Sequence, residues 1–293
     1  MLPFSEATLK SVYSGILEGL LRNASPLMQS SIEEIIVASI DLFQAVQAEL
    51  LPTPAKSHYT FNLRDLFKVY QGIISVPLEY VTKKEMLLRL WIHENERVYA
   101  DRLVDEEDKM KFIQIVRRML LKHFKEEEIS NIVTTEVLLF GDFVGAENST
   151  HRNYVEITDM QLIKKSVIAF MEDYNIVNTP NLRLVLFDYA LDHLTKICRI
   201  VRQPLGHGLL LGLPGSGRES LTRLAAYMSD RSLFTVDVKQ TYGINEWQED
   251  MRKLLRQVGV EGKSVVFLIK DSQVTDEQFL EDVHNLLNNG ESK

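Results

Sequence analysis

Cysteine is nearly missing from this 293-residue chain, with Cys198 as its sole example. An intramolecular disulfide is therefore excluded, as is any zinc or iron–sulfur site built from cysteines, and the usage fits a reducing compartment such as the cytoplasm. Long apolar runs are also missing: none approaches the roughly 18 residues of a membrane span. The N-terminal stretch lacks the basic-then-apolar layout of a secretory signal, so no membrane partner is expected. Basic residues are outnumbered 33 to 41, leaving a formal charge of −8. A chain so charged repels nucleic acid, and no nucleic-acid partner is expected; Lys164–Lys165 reads as solvated surface. Glycine (14) and proline (8) are too few for a low-complexity or disordered tract, and no internal repeat points to a solenoid.

What is present is an ordinary globular composition, 45% hydrophobic and 25% charged, with length enough for two compact units. The first half reads almost wholly helical, because apolar residues recur at spacings of three and four. Ser31 and Glu34 have capping-box spacing at the head of an Ile32, Ile36, Ile40, Phe43 stripe that runs to Leu50 and is stopped by Pro52 and Pro54. Further helices are expected near Leu63–Ile74, Met86–Tyr99 and Glu106–Phe124. After a turn at Gly141–Gly145, another covers Asp159–Tyr174 and ends at the breaker 178–181. Beyond it strand and helix alternate: strand His207–Leu211, helix Gly217–Ser229, strand Leu233–Val238, helix Asn245–Val258, strand Ser264–Ile269 and helix Asp276–Leu287. That order predicts a parallel, doubly wound sheet. The fold class expected is α/β with a large helical part, divided into residues 1–165 and 166–293.

The chemistry concentrates in Gly212-Leu-Pro214-Gly215-Ser216-Gly217-Arg218-Glu219-Ser220, between an apolar strand and a helix. Glycines at 212, 215 and 217 let the backbone turn its N–H groups inward, and the helix N-terminus adds its dipole, so a diphosphate is held largely by main chain. A ligand-free glycine turn is the competing reading. Two positions depart from G-x-x-x-x-G-K-[ST]. Arg218 keeps a positive charge but has a planar fork instead of an ammonium. Glu219 puts a carboxylate where a hydroxyl would ligate magnesium, leaving Ser220 or Glu219 itself as substitute ligand. The apolar run Val265–Ile269 ends at Asp271, the expected acid on the magnesium side; Ser272 follows it and is a poor general base. The seven histidines show no paired ligand spacing, and neither Ser216 nor Ser220 has a histidine in its motif, so a hydrolase triad is discounted.

The stretch from Gly212 to Ala226 resembles the P-loop of the fourth AAA+ module of axonemal dynein heavy chains, in which arginine commonly takes the lysine position and glutamine follows. Arg218 is typical in that light and Glu219 is a departure. Asn181-Leu-Arg-Leu184-Val185-Leu-Phe187 resembles the segment that enters the same module and lines the adenine, which makes Leu184, Val185 and Phe187 base contacts by implication. Pro52-Thr-Pro54, His58 to Leu66, and Leu90-Trp-Ile-His-Glu94 resemble the helical lid of the third module, with Arg64 as its nucleotide-sensing arginine. The resemblance implies that 1–165 is that lid and 166–293 a P-loop half cut off after its third strand. Sensor and arginine-finger segments, stalk and microtubule-binding tip are expected outside the sequence. It implies ATP or ADP, with magnesium held by Asp271 and Ser220, in a regulatory site with little or no hydrolysis. The parent would be a minus-end-directed microtubule motor of the cytoskeleton and ciliary axoneme. Partners would be the other ring modules and dynein subunits, with microtubules reached only through the parent. A nucleotide-free interaction module or an inert truncated product is the alternative.

Overall fold

The computed structural model describes residues 4–23, 26–130, 132, 138–144, 152–239 and 241–289. Two compact units share the chain: Met1–Asp142 with Ser149–Thr158, and Phe143–Asn148 with Asp159–Lys293. No described helix is long and apolar enough to cross a membrane. Gly145, the far end of the expected turn, lies outside the described residues.

The first unit is helical: α1 Glu6–Asn23, α2 Pro26–Glu49, α3 Leu63–Ile74, α4 Lys84–Val98, α5 Glu106–His123 and α6 Glu126–Ser130, with an antiparallel pair of β1 Leu139–Gly141 and β2 Val155–Ile157. Helix α2 begins at Pro26 and not at Ser31. Proline's fixed φ suits a first helical turn, whose N–H groups lack partners in any case. Ser31 therefore lies inside the helix and is buried, so the expected Ser31–Glu34 capping box does not form. Glu34 instead accepts from Lys84 Nζ at 2.5 Å. The capping box is found at α3, where Asn62 Oδ1 accepts from the Arg64 amide (2.8 Å) and Asp65 Oδ2 from the Asn62 amide (2.9 Å).

Helix α4 carries the centre of this core. Trp91 is fully buried, and its indole N–H donates to Ser39 Oγ (2.8 Å), whose hydroxyl donates to the Ile35 carbonyl (2.7 Å). Glu94, also fully buried, rests on Gly72 of α3: a Cβ there would stand 1.8 Å from Glu94 Oε2. Its other oxygen accepts from the Tyr154 hydroxyl (3.0 Å), which also lies 3.1 Å from His93 Nε2. Arg89 grips Glu156 through Nε (2.7 Å) and Nη2. The β-pair is thus tied to α4 by charge-assisted bonds that are mostly shielded from water.

The second unit contains α7 Met160–Val177, α8 Asp188–Arg202, α9 Arg218–Met228, β3 Ser232–Thr235, α10 Ile244–Gly259, β4 Val265–Leu268, a 3₁₀ turn Asp271–Gln273 and α11 Glu277–Asn289. Asp159 caps α7 by accepting from the Gln161 amide (2.8 Å), and Asp276 caps α11 through the Gln278 amide (2.9 Å). Strands β3 and β4 are parallel, Ser232 opposite Val265 and Thr235 opposite Leu268, joined through α10 as parallel neighbours require. Trp247 of α10 stacks on Phe279 of α11 (centroids 4.4 Å apart, planes at 11°) and donates to Asp282 Oδ2 at 2.8 Å. Val236, Met251 and Leu254 complete that cluster.

The fold class stands, mostly helical with a parallel sheet crossed by a helix. One expected element does not form, however: residues 207–211 belong to no strand. A strand requires a ladder partner. Strands β3 and β4 pair with each other, and no described residue pairs with 207–211, so Leu209 and Leu211 are more than 80% exposed.

Candidate phosphate-binding site

The loop from Gly212 leads directly into α9. Gly215 and Gly217 both adopt φ of +82°, a left-handed conformation that side chains resist, and the space where their Cβ atoms would stand is open. Between them the Ser216 amide donates to the Leu213 carbonyl (3.2 Å), closing the turn. Gly217 caps α9, and its carbonyl accepts from the Leu221 amide (2.8 Å). The first N–H groups of α9 have no partner within the helix, so they and the helix dipole present a positive rim to the open space over the glycines. This geometry fits a phosphate group.

Arg218 opens α9 and folds back along the loop. Its guanidinium donates, at 3.4 Å each, to the carbonyls of Leu210 and Leu213, and its Cδ would meet a Cβ at Gly212 at 3.5 Å. Bonds that long are weak, so the side chain is free to exchange them for a stronger acceptor. Glu219 is fully engaged. Oε1 accepts from Arg223 Nη2 (2.8 Å) and Nε (3.1 Å), and Oε2 accepts from Lys270 Nζ (3.1 Å). The Arg223 guanidinium, and then Lys270, hold the Glu219 carboxyl below the usual carboxylate range.

The Lys270–Glu219 bond brings the end of β4 to the start of α9. Lys270 immediately precedes Asp271, which is exposed at the head of the 3₁₀ turn. Gln273 fixes that turn: its Oε1 accepts from the Lys270 amide (2.8 Å) and its Nε2 donates to the Val236 carbonyl (2.5 Å). Sequence reasoning assigned no role to Lys270 or Gln273. The available signal was a lysine interrupting an otherwise apolar strand just before its terminal carboxylate.

The remaining expected site residues lie on the loop, on α9, on the segment entering α8 and on α3. Pro214 and Ser216 are exposed on the loop, and Ser220 sits half-buried in the first turn of α9. Leu184, Val185 and Phe187 lie on the segment entering α8, a helix that packs against α9. Val185 is 82% and Phe187 55% exposed, whereas their neighbours Leu182 and Leu186 are buried. Phe187 lies nearly parallel to Tyr189, with 6.4 Å between centroids. Arg64 is exposed in the first turn of α3.

Glu219, which stands where a hydroxyl would ligate magnesium, does not itself fit the metal, because both of its oxygens are held by cations. Magnesium demands near-octahedral oxygen ligation, which an ammonium and a guanidinium already bound to this carboxylate oppose.

A family model described as the P-loop-containing dynein motor region D4 matches residues 182–293, and one described as an AAA+ lid domain matches residues 35–134. Mouse dynein axonemal heavy chain 1 is 41% identical across 98% of this chain, and human dynein axonemal heavy chains 6 and 3 are 38% and 36% identical over the same share. The chain spans about 7% of the length of these relatives. With a P-loop turn in one unit, a helical lid match in the other and similarity along nearly its full length, the chain belongs to the dynein heavy chain family and represents part of its AAA+ motor region.

Proposed function

We propose that the second unit binds ATP or ADP in a low-turnover regulatory site of a dynein motor ring, with residues 1–165 acting as the lid of the third AAA+ module and 166–293 as the P-loop half of the fourth. The observation that carries this reading is the left-handed Gly215 and Gly217 turn running into α9. Main-chain N–H groups from Gly215 to Ser220 hold the phosphates, and Arg218 leaves the Leu210 and Leu213 carbonyls to pair with them. Leu184, Val185 and Phe187 supply apolar surface for the base. Asp271 stands at the end of β4, and Ser272 beside it lacks the basicity to activate water. Nucleotide therefore acts by its presence, biasing how neighbouring ring modules pack. The partners are those modules and other dynein subunits, and microtubule movement in the axoneme belongs to the parent motor.

Arg218→Ala tests the site directly. Its native hydrogen bonds are long and weak, so the variant is expected to fold, and the nucleotide-dependent rise in melting temperature should vanish. An undiminished rise with ADP in that variant would remove Arg218 from the site. The contacts of Arg218 with its own loop also favour a second reading, a nucleotide-free interaction module. A folded wild-type chain whose melting temperature ignores both ATP and ADP would establish it.

A further inference from the structure

We propose that the phosphate pocket carries its own fixed cation, the Lys270 ammonium, in place of a divalent metal, so that nucleotide binds here without magnesium. The inference rests on the nucleotide-binding reading above and concerns how that same site neutralises phosphate charge.

Three observations converge. First, Lys270 Nζ stands 3.1 Å from Glu219 Oε2, which ties an ammonium to a side chain of the first turn of α9. Second, Arg223 occupies the other oxygen of Glu219 at 2.8 and 3.1 Å, so both oxygens of the carboxylate at the metal-ligand position are already paired with cations. Third, Gln273 holds the Lys270 main chain through a 2.8 Å bond and is itself anchored to the Val236 carbonyl, so the lysine emerges from a fixed point at the end of β4.

Arg223 and Lys270 both pair with Glu219, two cations to one anion, leaving that cluster one positive charge before ligand arrives. A divalent ion at Glu219 would be repelled by the lysine and arginine already bonded to that carboxylate. A diphosphate, by contrast, gains a partner in Lys270 that is already partly desolvated by its pairing with Glu219, whereas magnesium dehydrates reluctantly. Glu219 then orients the lysine. Lys270 and Glu219 are positioning and binding groups; no bond is made or broken.

Calorimetric titration of the full chain with ADP, once with millimolar magnesium and once with EDTA, tests this. The expected dissociation constants agree within about twofold, and Lys270→Thr weakens binding in EDTA by about tenfold or more. The pair it removes is partly exposed, so the variant should keep its melting temperature without nucleotide. In the double variant Glu219→Ser, Lys270→Thr, magnesium should become necessary. Wild-type binding that falls about tenfold when magnesium is chelated would overturn the metal-free site while leaving nucleotide binding intact. Undiminished affinity in Lys270→Thr would do the same. Absence of ADP binding under both conditions, by a folded chain, would sink the nucleotide reading and this inference together.

Discussion

The two units bury their apolar residues to different extents. In the first, one continuous core draws on all six helices and β1, and its largest side chains, Trp91, Tyr70, Tyr99 and Phe112, are fully enclosed. In the second, every residue of β4 is only half-buried, and Leu205, Leu209, Leu211 and Leu213 are each more than 80% exposed. A helical bundle satisfies its backbone within each helix and needs only side-chain contacts to close. A sheet must find partners for each strand, and the described residues offer β3 and β4 only each other. The unit bearing the phosphate loop is thus the less enclosed of the two.

Trp247→Ala should break the comparison most sharply. It removes a buried indole from the cluster around α10 and leaves Asp282 without its donor. The transfer and cavity cost is about 3–5 kcal/mol, and it falls on a cluster smaller than the core of the first unit. Hydrogen exchange should show β3, β4, α10 and α11 losing nearly all protection. Trp91→Ala carries a similar cost of about 3–5 kcal/mol but falls in the larger core. Protection in α2 and α4 should drop by that amount without disappearing; equal collapse in both variants would erase the contrast drawn between the units.

The smallest effect is one of pH and belongs to the first unit. The Lys56 ammonium, donating to Asp108 at 2.5 Å with the Tyr59 hydroxyl beside it at 3.0 Å, holds the Asp108 carboxyl below its ordinary range. A carboxyl depressed by folding contributes stability that is complete above its unfolded value of about 3.9 and is lost as pH falls through the folded value. Urea midpoints of the unaltered chain should therefore decline below about pH 4, and Asp108→Asn should flatten that decline. An unchanged slope in the variant would show that other carboxyls govern the acid limb.

Much of this was legible in the sequence, for reasons that differ by element. Helices α3, α5 and α10 follow from apolar spacing, and Asp159 and Asp276, at which helices were expected to begin, are caps of α7 and α11. The left-handed glycines of the loop follow from the motif itself. Other features depend on partners far along the chain. Residues 207–211 have a strand's composition but no ladder, and nothing within a local window reveals that. Glu219 read as added negative charge beside the phosphates; Arg223, which pairs with it, lies only four residues on, but its second partner, Lys270, comes 51 residues later. Helix α2 starts a turn and more before Ser31, since the local capping signal was outweighed by a proline able to begin the helix and by burial of the serine.

The Gly72–Glu94 contact constrains how this sequence can drift. Any side chain at 72 collides with a carboxylate that Tyr154 holds in place, so position 72 stays closed to substitution for as long as residue 94 keeps its length. Shortening residue 94 first would open it, at the expense of the Tyr154 bond. Substitutions at the two sites are thus passable in one order and blocked in the other, and a scan of paired variants should recover that asymmetry as epistasis between helices α3 and α4.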